Sequence, residues 1–476
     1  MNKKLLAKIT VGLLSFASAF GFERLSTNEL LISYLENDTE LKNLTIKAKK
    51  AELSLDKTEI ENGFDISLST GEVTLKTSSD GVNFSVKPNV TAKIPQANNL
   101  EITGKATLDG GNSEDTAFST TDAGISLSVD IISSTALKQK ITLMKAERTV
   151  TEAKRALENQ ALTAEKEFYT SLKEILNSTA DLISKQSDLY EDTISFEKIK
   201  AQGYTESSSS YRLAQMKVQK DKYDIESDFH SLCHDYIVFY KKCGYDIQID
   251  DETNFFELIP DDIPIVEAQN IDNFEPDSYT ETEASLWNHK INAMERESEK
   301  FFSLAATGGF TFKNSNTSSN TVDAGVTATI GGTSLSAGVN IPIATKDEGT
   351  GPAFTFSAAV SPNTFKKNEI TKQQNELDEE AENLAIATSR QNFGTAAVSQ
   401  RQNLKDIQWS KETNESNYQI YSKMEEDMES WYKQGFITES EYLSAQTNAR
   451  NYKVQLLIDD INLIIYNNEI QLMFVK

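Results

Sequence analysis

Three residues near the middle of the chain have side chains that could bind a metal ion. His230, Cys233 and His234 share one face of a helix if this segment is helical. Imidazole and thiolate groups are common zinc ligands, and such a site would suit a soluble periplasmic metal-binding protein. No carboxylate or further Cys/His cluster completes the set, so the alternative is a packed helix with incidental polar residues. We favour the packed helix and predict no metal and no cofactor.

Other groups that could do chemistry are scarce. The chain has three histidines in all, and it shows neither a Ser/His/Asp set nor a Gly-rich phosphate loop. We therefore predict that it is not an enzyme and has no catalytic residues. Cys233 and Cys243 are the two cysteines. Ten residues on one helix separate two side chains by about 15 Å, which is too far for a disulfide. They could pair only if the chain turned between them.

Composition and charge indicate which partners, assembly and targeting to expect. The formal net charge is −25, whereas phosphate binding needs clustered Lys and Arg, so nucleic acid is not expected as a partner. A hydrophobic content of 38% is low for this length and favours an elongated or water-filled assembly. Residues 1–19 have a basic start, a short apolar stretch and a small-residue cleavage site, which predicts a secretory signal peptide.

A short motif occurs twice, at matching places in two halves of the chain. Gln202-Gly203-Tyr204 is followed by Tyr, Ala and Gln, and so is Gln434-Gly435-Phe436. The distance from Thr135 to Gly203 is within three residues of the distance from Thr364 to Gly435. This agreement predicts duplication of a whole structural unit. Each glycine is expected to end one long helix and start the turn into a return helix.

The sequence of each half also predicts the same order of elements before its glycine turn, a helix followed by strands. Ser26-x-x-Glu29 and Ser278-x-x-Glu281 match the capping box, which predicts helices that run to about Glu61 and about Phe302. Strand sequence follows, with apolar residues alternating with Ser, Thr or Lys. The expected strands are residues 65–77, 82–94, 100–108 and 123–132, then 301–312, 322–330, 334–343 and 353–360.

Long segments without proline follow the strands. Residues 134–200 and 363–432 contain one glycine, Gly394, and have apolar residues every three or four positions. A helix of this length would be about 100 Å long and needs partners in a coiled-coil-like array. The predicted domains are 20–243 for the first repeat, 244–277 for an acidic crossover and 278–476 for the second repeat. The crossover should have little regular structure.

This order of elements resembles the TolC-like outer-membrane efflux proteins, over essentially the whole mature chain. The most specific stretch is Trp431-Tyr-Lys-Gln-Gly-Phe-Ile-Thr-Glu-Ser-Glu-Tyr-Leu-Ser-Ala-Gln446, which is similar to the tip between the last two long helices of that family. The resemblance implies an α+β membrane protein that is a homotrimer. Its β-barrel would lie in outer-membrane lipid and continue into a long periplasmic α-helical barrel. The function implied is passive export, with a periplasmic adaptor protein and an inner-membrane transporter as partners.

The resemblance also implies where particular residues lie. Gly203 and Gly435 would sit at the periplasmic tip. By position from Gly435, Glu441 would line the entrance constriction, with Glu439 near it, and Tyr432 would hold the closed tip. A ring of three Glu441 carboxylates would favour cations. The alternatives are that Glu439 and Glu441 are exposed residues at a helix start and that Tyr432 is packed in a core.

Two questions stay open in the sequence. Eight strand segments could mean four membrane strands per chain with extended hairpins, or a wider barrel. We favour four, because a small barrel matches a twelve-helix tunnel. The second question is whether the protein is a channel or a secreted coiled-coil scaffold or adhesin with a β-rich head and no pore. The repeated order of strands and long helices favours the channel.

Overall fold

The computed structural model describes residues 26–78, 81–95, 97–111, 119–249, 253–260, 262–299, 302–313, 320–330, 333–343, 351–359 and 362–475. The predicted signal peptide lies outside the described residues. Seven helices are described: α1 (Thr27–Asn37), α2 (Thr39–Glu61), α3 (Thr135–Ala201), α4 (Ser209–Lys242), α5 (Thr280–Ser298), α6 (Pro362–Lys433) and α7 (Glu439–Met473). The predicted order of elements is therefore found in both halves of the chain. None of these helices has an apolar stretch long enough to cross a membrane.

The first of the two predicted capping boxes is present, and the prediction of the second is wrong. The Ser26 hydroxyl accepts from the Glu29 amide, and the Glu29 carboxylate accepts from the Ser26 amide at 3.0 Å. Ser278 instead lies in a 3-10 turn that begins at Pro276, and its hydroxyl donates to the Glu275 carbonyl at 2.7 Å. Because proline starts this turn, the helix begins at Thr280, one residue after the start that a cap at Ser278 would give.

Two helix boundaries also differ from the prediction. The first helix does reach Glu61, but it is split at Asp38. The Asp38 carboxylate accepts from the Glu40 amide at 2.7 Å, so it caps a new helix instead of continuing the old one. In the second half, α5 ends at Ser298, short of the expected Phe302, because Phe302 already pairs with Ile330 as a strand residue.

Ten strand segments form one antiparallel sheet. They are β1 (Asp65–Ser69), β2 (Val73–Ser78), β3 (Gly81–Val86), β4 (Asn89–Ile94), β5 (Leu100–Gly111), β6 (Ser119–Ile132), β7 (Phe302–Lys313), β8 (Asn320–Ile330), β9 (Thr333–Ile343) and β10 (Ala353–Ala359). The order across the sheet is β1-β4-β5-β6-β7-β8-β9-β10, with β2 on β3 and β3 on β5. The two halves of the chain meet at the β6–β7 ladder.

The ten segments amount to eight strands, two of them interrupted. β1 and β2 pair with β4 and β3 respectively, and β4 and β3 both pair with β5. The interruptions lie at Gly71, which has φ +61°, and at Pro88, which has no amide to donate. The Lys87 amide donates to the Glu72 carbonyl across the gap at 3.1 Å. All eight predicted strand segments are thus present, four in each half.

One compact unit is mainly helical and consists of the described residues of 26–46, 155–280 and 390–475. Its core includes Phe168 and Leu176, neither of which is exposed to solvent. The predicted crossover contributes to this core through Phe255, Ile259 and Ile263. It contains three short 3-10 helices, Phe255–Leu258, Ile271–Asn273 and Pro276–Ser278, and otherwise little regular structure among its described residues.

The sheet belongs to a second unit, residues 47–154 and 281–389. In this unit α5 is fastened on two sides by ion pairs. Arg148 of α3 holds the Glu283 carboxylate with both of its terminal nitrogens and lies over the Trp287 ring at 5.2 Å. On the other side, Glu382 of α6 accepts from Arg296 at 2.7 and 2.9 Å.

Candidate channel wall and entrance

One face of the sheet is apolar across its full width. The strand register aligns a row with one residue from each of eight strands, and no member of the row is polar. The row is Ile66, Ala92, Ile102, Leu127, Gly308, Ala324, Val339 and Phe354. Because side chains alternate between faces along a strand, the residues two positions away extend the same face, as Leu68, Ile125 and Phe356 do.

The opposite face is polar or bare. The neighbouring row is Asp65, Lys93, Glu101, Ser128, Thr307, Gly325, Gly338 and Thr355. Lys93 and Glu101 form an ion pair at 3.4 Å, and the hydroxyls of Thr91 and Thr103 lie 3.2 Å apart. The hydroxyls of Thr307 and Thr355 lie over Gly325 and Gly338, where a Cβ atom would meet them at 3.0 and 2.9 Å. This face is suited to contact with water.

Many residues of the apolar face are exposed in the described part of the chain. Leu68 and Phe356 are each 79% exposed, and Ile125 on the central strand β6 is 63% exposed. Contiguous exposed apolar surface of this width is unusual for a soluble protein and marks contact with lipid or with another protein. The geometry therefore supplies a wall with one apolar and one aqueous side.

The two glycine turns end their long helices in the same way. Gly203 has φ +82° and Gly435 has φ +75°. The Gly435 amide donates to the Tyr432 carbonyl and the Phe436 amide to the Trp431 carbonyl, both at 2.9 Å. The first turn repeats this pair of bonds at Gly203 and Tyr204. This is the Schellman motif, and the positive φ explains why glycine stands at both positions.

Glu441 lies at the start of the return helix that follows Gly435. Its carboxylate accepts from the amide and the hydroxyl of Thr438, both at 2.8 Å, and its own amide donates to the Thr438 hydroxyl at 3.3 Å. The bond from the Thr438 amide lowers the pKa of Glu441. Glu441 is thus the third residue of the helix and completes a capping box with Thr438. This fits the alternative that Glu441 is a residue at a helix start. That Glu441 lines a constriction stays a prediction.

Tyr432 and Glu439 each contact a tyrosine side chain. The Tyr432 ring stacks on Tyr442, with ring centres 5.5 Å apart and planes within 5°. The hydroxyl of Tyr190, on α3, donates to the Glu439 carboxylate at 2.6 Å. The structure therefore brings Tyr432, Glu439 and Glu441 to one end of α7 and adds Tyr190, which sequence reasoning missed. No sequence signal could have found Tyr190, because its partner is 249 residues away.

The first turn is built differently around its glycine. Its return helix begins at Ser209, capped by the Ser208 hydroxyl, which accepts from the Tyr211 amide. The tyrosine at this third position leaves no carboxylate to complete a capping box. Phe196 packs edge-on against Tyr211 with ring centres 5.0 Å apart, so an aromatic pair also lies beside the first turn.

The candidate metal ligands do not converge. His230 and His234 are exposed and Cys233 is half-buried, all on the continuous helix α4. Over the described ranges, no group of three His, Cys, Asp or Glu side chains is placed to hold a metal ion. Neither Cys233 nor Cys243 is in a disulfide. Burial raises the pKa of the Cys243 thiol to about 12, which makes it a poor nucleophile.

Two domain models of one protein family match the chain. Residues 30–263 match the TP096X N-terminal domain, and residues 264–476 match the TP096X C-terminal domain. Together the two models match all but the first 29 residues. The chain belongs to the TP096X family. No curated protein matches it.

Several solved structures are similar to this TP096X chain. The Campylobacter jejuni CmeC outer membrane channel is 12% identical, with 97% of this chain and 91% of that chain covered and a TM-score of 0.43. The open state of the Neisseria gonorrhoeae MtrE outer membrane channel is 13% identical, with 92% and 88% covered and a TM-score of 0.46. The outer membrane protein VceC from Vibrio cholerae is 12% identical, with 94% of each chain covered and a TM-score of 0.40.

Proposed function

We propose that three copies of this chain form a passive export channel in the outer membrane. The sheets would form a β-barrel in lipid, and the long helices would line a tunnel in the periplasm. An inner-membrane transporter, coupled through a periplasmic adaptor protein, would drive export. The observation that carries the proposal is the exposed apolar face that spans all eight strands, opposite a polar face. A secreted scaffold would have to bury such a face.

Exposed apolar residues on α6 support association of copies. Ile370, Leu377 and Leu384 recur at seven-residue spacing, and Leu377 and Leu384 are 66% and 68% exposed. A seven-residue apolar repeat is the pattern of a helix that packs against another helix. Val398, Trp409, Ile420 and Trp431 continue as exposed positions at eleven-residue spacing, a repeat that also suits coiled packing. We propose that neighbouring copies cover these positions.

The periplasmic entrance is proposed to lie at the glycine turns. Tyr432, Glu439 and Glu441 all lie within a few residues of Gly435 and are the candidates for its narrowest part. Three Glu441 carboxylates in a ring would give cation preference. Reversal-potential measurements on Glu441→Gln in a planar bilayer test this: reduced cation preference supports the ring, and unchanged preference removes Glu441 from it.

The proposal is tested on two neighbouring residues of β6. Ile125→Lys places a charge on the apolar face, which at mid-membrane depth costs about 2–4 kcal/mol. Ser126→Lys places the same charge on the polar face and is the control. We expect the Ile125 variant to be lost from the outer-membrane fraction and the Ser126 variant to insert and conduct. A wild-type chain that is soluble and monomeric without detergent, and forms no pore in a bilayer, would refute the channel.

A further inference from the structure

The two outer edges of the sheet have no neighbouring strand in the part of the chain that the structure describes. At one edge, β1 pairs with β4 alone and β2 with β3 alone. At the other edge, β10 pairs with β9 alone. Unpaired backbone amides and carbonyls cannot remain exposed in hydrocarbon, because no water is present there to hydrogen-bond them. In a membrane both edges therefore need a strand as partner.

More than four adjacent strands are long enough to cross a membrane. A membrane strand needs about 9–11 residues, and the five adjacent strands β5 to β9 have 12, 14, 12, 11 and 11. The apolar row continues past them to Ile66 at one edge and Phe354 at the other. The sheet shows no point at which a four-strand wall would end, in contrast to the expectation of four membrane strands.

We infer that all eight strands of each chain stand in the membrane and that β10 of one copy pairs with the β1–β2 edge of the next. This inference rests on the proposed channel. Eight antiparallel strands put β1 and β10 in opposite directions, so the junction between two copies is itself antiparallel and continues the ladder unchanged. Identical copies then close a ring without leaving an edge.

The side chains at the edges fit a second copy. Leu68 on β1 and Phe356 on β10 are among the most exposed apolar residues of the sheet, because each has strand neighbours on one side only. Pairing of the two edges gives both residues cross-strand neighbours on the apolar face. A barrel of three such chains would be about 48 Å across, against about 24 Å for four strands per chain. The strands would then form a wide mouth, and the helical tunnel would limit what passes.

Disulfide trapping between differently tagged chains tests the junction. One chain carries Ser67→Cys or Ser69→Cys, and its co-expressed partner carries Thr355→Cys or Ser357→Cys. All four residues lie on the polar face, and the four combinations sample the register between copies. Both chains also carry Cys233→Ala, and Cys243 is left in place because it is buried. The control replaces the β1 cysteine with Ser126→Cys, which lies on β6 between two strands.

We expect a doubly tagged dimer on a non-reducing gel for at least one combination and none for the control. If the variants conduct like wild type but no combination gives a mixed disulfide, the inference is overturned and the channel stands. A disulfide within one chain carrying both cysteines would overturn it as well, since the sheet would close on itself. If the chain neither inserts nor conducts, the proposed function itself fails. A ring of about 24 Å seen by electron microscopy would also contradict eight strands per chain.

Discussion

The hydroxyl oxygen of Tyr190 lies 2.6 Å from the carboxylate of Glu439 and ties the first long helix, α3, to the start of the last helix, α7. Hydrogen bonding to Glu439 raises the pKa of the Tyr190 phenol. Glu439 is the first residue of α7, three residues after the turn residue Phe436. The contact therefore joins the two halves of the chain next to the second glycine turn, where a closed entrance would have to be held.

Loss of this contact should favour an open entrance. Tyr190→Phe removes only the hydroxyl and Glu439→Gln removes only the charge, so each weakens a charge-assisted hydrogen bond. If the bond exists only in the closed state, we expect at least a several-fold higher open probability in single-channel recordings.

Glu429→Gln is the control for Glu439→Gln. Glu429 pairs with Lys433 on its own helix at 2.7 Å, so its neutralisation removes a similar charge without releasing another helix. Wild-type open probability in both Tyr190→Phe and Glu439→Gln would show that the contact does not hold the entrance closed.

Replacing glycine by alanine should have opposite effects on stability at Gly435, in the second turn, and at Gly394, inside a helix. Gly435→Ala forces a side chain onto a residue with φ +75°, which should destabilise the fold by about 1–2 kcal/mol. Gly394 lies inside α6, and a Cβ atom there would meet nothing within 4 Å. Gly394→Ala should therefore stabilise the helix by about 1 kcal/mol. Thermal unfolding of detergent-solubilised protein measures both shifts, and equal signs would contradict this account of the turn.

The Glu382 cluster predicts a pH-dependent contribution to stability. Arg296, with help from Asn292 and His289, holds the pKa of Glu382 at about 2. Because this folded-state pKa is below the ordinary value of about 4.3, the contribution is fully present above pH 4.3. It is lost as the pH falls towards 2.

Glu382→Gln should therefore be less stable than wild type by about 2 kcal/mol at neutral pH. The difference between the two proteins in thermal unfolding should shrink below pH 4.3. Glu379→Gln, an exposed carboxylate one turn away, is the control and should change little. A difference that stays constant down to pH 3 would mean that the ion pair does not contribute.

The apolar repeat of α6 predicts a change of oligomeric state. Leu377→Glu together with Leu384→Glu places two charges at positions that neighbouring copies are proposed to cover. We expect the fraction of trimer in detergent, measured by light scattering, to fall at least several-fold. Gln373→Glu with Asn383→Glu adds the same two charges at exposed polar positions nearby. Equal loss of trimer in both pairs would point to general repulsion instead of a lost contact.

Much of the fold follows from local sequence. The long helices α3 and α6 were predictable from their apolar spacing and the scarcity of Gly and Pro, and the turns from Gly203 and Gly435, because φ preferences act within a few residues. Boundaries failed where a neighbouring residue competed, as Pro276 does with the expected cap at Ser278. The strand segments were predictable too, but the alternation of apolar and polar residues along them does not show how many strands join one sheet.

The sequence by itself therefore determined the order of elements and which residues of each strand are apolar. Tertiary structure alone decided that eight strands share one sheet and one apolar face, since register depends on partners far along the chain. The bond between Glu441 and Thr438 is a local capping box, which depends on residues only three positions apart. Tertiary structure alone decided that Glu439, at the same helix start, meets Tyr190, because the two residues are 249 positions apart along the chain.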